Sequence, residues 1–331
     1  MRVAVIGAGS WGTTVASLAS RNCSTMLWAR SAAIAREINE THRNETYLPG
    51  FGIPEALSAS SDLEKVVRDA DVLVIGVPSH GFRQVVTELA PFVRPWIPVV
   101  SLTKGLEQGS LLRMTEIIEE VLPGHPAGVL TGPNLAKEIM SGQAAASVIG
   151  MEDLVVAEAL QGVFAGGLYR IYTNHDVIGC EIGGALKNVI AIATGIAEAI
   201  SVGDNTRAMV ITRGLAELTH LGVALGGEQA TMAGLAGMGD LLATCMSRHS
   251  RNRMVGEQLG QGRKIEEITA DMNMVAEGVK TTATVMELAR RYEIEMPISE
   301  EMYAVLYEGR AAADAYRGLQ QRKAGHERDS G

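Results

Sequence analysis

Cysteine is scarce: Cys23, Cys180 and Cys245 are the three in 331 residues, far apart and without a C-x-x-C pair. That spacing excludes a disulfide framework and gives no reason to expect a metal; reduced, mostly buried thiols fit a cytoplasmic protein. Positive charge is also in deficit. Twenty-nine Lys and Arg face 38 Asp and Glu, for a net charge of −9 and a sequence pI near 5.4. Such a surface repels phosphate backbones, so no nucleic-acid partner is expected. An anionic substrate would need a local cationic pocket. Long apolar runs are missing too. The most apolar helical stretch, 183–200, contains Lys187, Asn188 and Glu198. It reads as too short and too polar to span a membrane, hence as a core helix, and no membrane insertion is expected. Met1 leads straight into the strand pattern of residues 2–6, which predicts no signal peptide. There is no internal repeat, and the 37 glycines fall in short groups beside apolar runs, unlike collagen or a linker.

What is present suits a compact protein of two domains: hydrophobic residues make up 47% and charged residues 20%. Strand-like runs are read at 3–6, 25–28, 72–77, 98–102, 128–131, 145–149 and 169–172. Helical patterns at 12–21, 32–40, 111–121 and 153–164 alternate with them. This predicts an α/β fold, a Rossmann-like, mainly parallel sheet covered on both faces. After about Asn174 helical patterns dominate, so a second, all-helical C-terminal domain is expected. The division reads 1–175 for dinucleotide binding, 176–318 for substrate and catalysis, and 319–331 for a polar, disordered tail.

Gly7-Ala8-Gly9-Ser10-Trp11-Gly12 fits G-x-G-x-x-G, directly after an apolar strand and opening a helical run. In that context Gly7 permits the tight turn, Gly9 lets backbone approach a pyrophosphate and Gly12 lets helix pack on strand. The helix N-terminus supplies N–H groups and partial positive charge to phosphates. The cofactor is therefore NAD(H) or NADP(H). The second strand ends Leu27-Trp28-Ala29-Arg30-Ser31, with no acid for a ribose 2′-hydroxyl. Arg30 instead suits a 2′-phosphate, so NADP(H) is favoured or at least tolerated.

Four further segments place polar groups where apolar packing would be cheaper. Lys104 follows a strand, at the sheet edge where ligands bind in open α/β folds. Gly132-Pro133-Asn134 follows another, and Asn134 is read as the cap of a helix starting at Leu135. Lys187 lies inside the apolar helix, near Gly183 and Gly184, and burial there lowers a lysine pKa toward the general-base range. The two glycines cost about 1 kcal/mol each relative to alanine, so something should need the space. Ser250-Arg251-Asn252 combines an N-cap, a helix N-terminus and a guanidinium, which together make an anion site.

With Ser101–Gly105, Gly132–Glu138, Gly184–Ala191, Gly237–Leu241, Ser250–Asn252 and Val275–Gly278 in this order after the glycine turn, the chain resembles bacterial NAD(P)-dependent glycerol-3-phosphate dehydrogenase. The match runs from residue 7 to residue 278. The resemblance implies reversible reduction of dihydroxyacetone phosphate to sn-glycerol 3-phosphate, serving phospholipid synthesis, by a cytoplasmic homodimer. It makes Lys187 the general acid/base, Lys104 a contact of cofactor and substrate, and Asp240 a substrate-site acid. Substrate contacts are then Lys104, Gly132, Asn134, Lys187, Asp240, Ser250, Arg251 and Asn252. Cofactor contacts are Gly7, Gly9, Ser10, Trp11, Gly12, Arg30, Tyr47, Lys104, Ala136, Arg251, Val275 and Glu277. Asn134 departs from the serine of many bacterial members. Two alternatives remain: a β-hydroxyacid dehydrogenase, and a dinucleotide-sensing module without chemistry.

Overall fold

The computed structural model describes residues 1–272 and 276–321. They divide into two compact units, 1–103 with 113–177, and 104–112 with 178 onward.

The first unit is built on one eight-stranded sheet: β1 Arg2–Ile6, β2 Ser24–Trp28, β3 Leu57–Ser60, β4 Val72–Ile75, β5 Val99–Ser101, β6 Ala127–Thr131, β7 Ala145–Met151 and β8 Tyr169–Asn174. The order is β3-β2-β1-β4-β5-β6-β7-β8. All pairs are parallel except β6 with β7, so the last two strands run opposite to the first six. Val3, Val5, Val72, Val74 and Val100 are buried on this sheet with Leu18 and Ala157 of the covering helices. β3 escaped the sequence reading. Leu57-Ser58-Ala59-Ser60 is short, half polar and lacks β-branched residues. It forms as the sheet edge, where the Asn39 side chain donates to the Ala59 carbonyl at 2.9 Å and accepts from its N–H at 2.8 Å.

Strand order reverses at β1, so β1 and β4 open the crevice in which such sheets bind ligands. Gly7 sits there at φ +118°, in the left-handed region, and a Cβ on it would meet the Gly76 carbonyl oxygen at 2.5 Å. A Cβ on Gly12 would lie 1.9 Å from the Gly7 carbonyl oxygen. Both glycines are thus required by the fold itself. At Gly9 an added Cβ meets no atom within 4 Å.

The second unit is helical. Its central helix is Val177–Ala199, and Ile182, Leu186, Val189, Ile192 and Ile196 form a core with Leu218, Leu221, Val285, Leu288, Ile298 and Met302. At 23 residues and a mean hydropathy of 1.4 this helix is long and apolar enough to cross a membrane, contrary to the sequence reading. Burial of 94% of its apolar window is what marks it as a core helix. Glu217, fully buried in the helix Asp204–Ala224, accepts from Ser299 N–H at 3.1 Å and Ser299 Oγ at 2.8 Å, pinning the start of the helix Pro297–Tyr307. Residues 104–112 join this unit, with Leu106 buried in its core. Leu111, at φ +65°, cannot be helical, so the helix read from 111 begins at Met114. The last described helix is Ala312–Gln321, so residues 319–321 are helical rather than tail; 322–331 lie outside the described residues.

The two glycine environments give opposite expectations. Gly12→Ala should lower stability by roughly 3 kcal/mol or more, because backbone must move. Gly9→Ala should stay within about 0.5 kcal/mol in thermal or urea denaturation. Equal losses in the two variants would contradict this account of the turn.

Candidate active site

In the second unit three charged side chains meet. Asp240, 2% exposed, begins the helix Asp240–Met246 after a π-helical turn, Leu235–Gly239. One carboxylate oxygen accepts from Lys104 Nζ at 2.7 Å, and the other accepts from Lys187 Nζ. The Lys187 amine also donates to Thr244 Oγ1 at 2.5 Å, one turn beyond Asp240, and that hydroxyl donates to the Asp240 carbonyl at 2.7 Å. The space left by Gly183 explains how the helices come this close. A Cβ there would lie 2.7 Å from the Ala236 carbonyl oxygen, in the turn that delivers Asp240.

Two amines on one carboxylate give the cluster a net positive charge while Lys104 is protonated. Burial pushes the Lys104 amine down to about 7. Asp240 opposes that fall, and the neighbouring Lys187 charge adds to it.

The Ser250 turn lies in the same unit and is held by its own network. Ser250 Oγ accepts from Arg253 N–H at 3.3 Å and so caps the helix Arg251–Gly260, as its sequence position predicts. Asn252 Nδ2 donates to Asn188 Oδ1 at 2.8 Å, while Asn252 Oδ1 accepts from Gly278 N–H at 3.0 Å. Each member of this relay is a chain neighbour of an expected site residue: Lys187, Arg251 and Glu277. Asn252 therefore aligns three helices through its side chain. Desolvation lowers the Arg251 guanidinium below its ordinary value, and the half-buried Glu277 partly offsets this. Arg253 is buried, bonded to the Met246 carbonyl at 2.8 Å and paired with Glu257 at 3.0 Å. Val275 lies outside the described residues.

In the first unit the glycine turn starts the helix Ser10–Ala19, whose N-cap, Gly9, provides no side-chain cap. The first N–H groups are thus left to an anion. Ser10 Oγ donates to the Tyr47 carbonyl. Asn44, fully buried, donates to the Ala8 carbonyl and to Thr13 Oγ1, each at 2.9 Å, and so fixes the turn to the Tyr47 segment. Arg30 is exposed just beyond β2. Gly132, at φ +124°, follows β6, which runs parallel to β5 and so ends at the same sheet edge as β1 and β4. Asn134 is not a helix cap: the helix is Ala136–Met140, its N-cap is Leu135, and no side chain caps it. Leu135 extends the chain one residue past the position the asparagine would need.

Sequence reasoning missed Asn44, Thr244 and Asn188 as functional neighbours. Asn188 stood beside Lys187, but a single polar residue within an apolar helix does not reveal its partner. Among the described residues no group of three or more His, Cys, Asp or Glu is placed to hold a metal.

Sequence comparison decides the family. The domain described as NAD-dependent glycerol-3-phosphate dehydrogenase N-terminus matches residues 2–157, and the corresponding C-terminus matches residues 176–317. The chain belongs to the NAD-dependent glycerol-3-phosphate dehydrogenase family. A glycerol-3-phosphate dehydrogenase [NAD(P)+] of Sphingopyxis alaskensis is 58% identical, covering 100% of this chain and 99% of that one. One from Mycobacterium avium is 54% identical over 98% of this chain and 96% of its own. The crystal structure of glycerol-3-phosphate dehydrogenase from Coxiella burnetii superposes with a TM-score of 0.92 at 36% identity, covering 97% of this chain and 99% of that one. A 3-hydroxyisobutyrate dehydrogenase from Salmonella typhimurium, at 16% identity and a TM-score of 0.52, shares the fold alone. The glycerol-3-phosphate dehydrogenase reading therefore stands over the β-hydroxyacid alternative. This family member is an NAD(P)-dependent oxidoreductase.

Because Asp240 is the group that holds the Lys104 pKa up, Asp240→Asn should lower it below 7. The limb of the pH–rate profile that reflects Lys104 deprotonation should then move to lower pH, with turnover reduced by about 10²-fold or more. A profile that keeps its position on the pH axis would separate Lys104 from the reaction.

Proposed function

We propose that Lys187 is the general acid/base of a glycerol-3-phosphate dehydrogenase, giving a proton to the C2 oxygen of dihydroxyacetone phosphate in reduction and taking it back in oxidation. The observation that carries this reading is the shared carboxylate: Asp240 holds the Lys104 and Lys187 amines together in a buried, net cationic cluster. A carbonyl oxygen gains negative charge as it is reduced, and an excess cation fixed nearby stabilises that charge without reorganisation. At an effective dielectric near 20, opposite unit charges ~4 Å apart attract by about 4 kcal/mol. A barrier change of that size corresponds to roughly 10³-fold in rate.

Each group has a separate task. Thr244 and Asp240 aim the Lys187 amine, and Lys104 adds the second charge. The capped turn at Ser250 takes the phosphate, with Arg251 as its cation; Asn252 holds the turn in register, and Gly132 and Asn134 add substrate contacts. The dinucleotide supplies the hydride. The uncapped helix start after Gly9, with its open approach at that residue, suits the pyrophosphate, and Ser10, Trp11 and Tyr47 complete that wall. Arg30 suits a 2′-phosphate, so NADP(H) is favoured or at least tolerated; Ala136, Val275 and Glu277 are further contacts with the dinucleotide. The enzyme acts as a cytoplasmic homodimer that feeds phospholipid synthesis.

Mixing protein, NADPH and dihydroxyacetone phosphate should consume the reduced nicotinamide. Absence of turnover with both NADPH and NADH would remove the assignment. Lys187→Ala should cut kcat by about 10²-fold or more while dinucleotide binding survives. Arg30→Ala should raise the KM for NADPH more than that for NADH.

A further inference from the structure

Trp11 puts a large ring in the first turn of the helix Ser10–Ala19, and such a ring must be held by something. Its indole is half-buried. It meets the ring of Tyr169 edge to face, with centroids 6.4 Å apart and planes at 80°. Tyr169 belongs to β8, the strand at the far end of the sheet from β3, and is 4% exposed. The Trp11 ring is thus supported by the last strand of the sheet, in addition to the hold that Asn44 has on the turn. A second tie runs the same way: Asn22, just past the Ser10–Ala19 helix, donates to the carbonyls of Val163 and Ala165 at 3.1 and 2.8 Å, in the segment leading to β8. Ser147, fully buried on the neighbouring β7, lies beside the phenol. On its other side, the Ser147 Cα would lie 3.1 Å from a Cβ placed on Gly132. Trp11 Nε1 is buried without a hydrogen-bond partner among the described residues. A buried polar atom of that kind costs stability, so a purely apolar ring at position 11 would serve packing better. Edge-to-face aromatic contact contributes beyond the area it buries and constrains ring orientation.

We propose that Tyr169 is a positioning residue for the dinucleotide, its ring holding the Trp11 indole and thereby fixing the first turn of the phosphate-binding helix. This rests on the reading of the glycine turn as the dinucleotide site. It places a determinant of cofactor affinity on the sheet strand most remote from the G-x-G-x-x-G motif in the chain.

The experiment is a double-mutant cycle on the full-length protein, with NADPH titrated by calorimetry. Wild-type protein must bind first; failure to bind either NADPH or NADH would overturn the reading of the turn and not the role of Tyr169. Tyr169→Leu should weaken NADPH binding about fivefold to tenfold, with KM for NADPH rising and kcat within about twofold. Tyr169→Phe keeps the ring and should restore binding to within about twofold of wild type. Combined with Trp11→Leu, Tyr169→Leu should cause no further loss, since its effect passes through the indole. If the leucine variant does not fold, Tyr169→Met, of similar bulk, is expected to give the same pattern. Unchanged affinity in Tyr169→Leu, or full additivity with Trp11→Leu, would overturn the proposal.

Discussion

Two ammonium groups can occupy a buried site together only if an anion lies between them, and Asp240 is that anion. Without it, Lys104 and Lys187 would repel each other in a medium that does not screen them, and the energetic remedy would be loss of a proton. With it, Lys104 is still lowered to about 7, and the cluster carries one charge in excess while that amine is protonated. That excess is an unfinished ion pair, completed by whatever negative charge appears next to it. The local helices serve this arrangement: the wide turn before Asp240, the absent side chain at Gly183 and the hydroxyl of Thr244 each act on one of the three charged groups.

The same logic of deliberate incompleteness recurs in the first unit. Ser31, Asp62, Asp153 and Ser250 cap the starts of their helices with a side chain. The helix after the glycine turn does not. Its unsatisfied N–H groups cost little in water and are worth much to a phosphate. Rigid backing from Asn44 and the close Gly7–Gly12 approach keeps those groups in place.

The sequence made some of this readable and hid the rest. Parallel strands announce themselves as apolar, β-branched runs, so β1, β2, β4 and β6 were located within a residue or two. β3 was not, because an edge strand needs no apolar pattern when a side chain such as Asn39 satisfies its backbone. The glycine turn was legible since its residue types follow from steric limits. Lys187 and Ser250 were legible because each breaks a local pattern. Thr244, Asn44 and the Asn188–Asn252 link were not: a hydroxyl or amide within a helix or loop carries no mark of what it will face across long sequence separation. The length of the central helix was misread, though its place in a core was not, as burial is a property of neighbours and not of composition.

Residues 104–112 leave the first half of the chain to pack with the second, and Lys104 meets Asp240 across 136 positions. During synthesis the ribosome releases this lysine well before its carboxylate partner exists. Neither half of the gene encodes a complete charge cluster by itself, so a cut between the two domains as they are written in sequence would strand the amine on the wrong fragment.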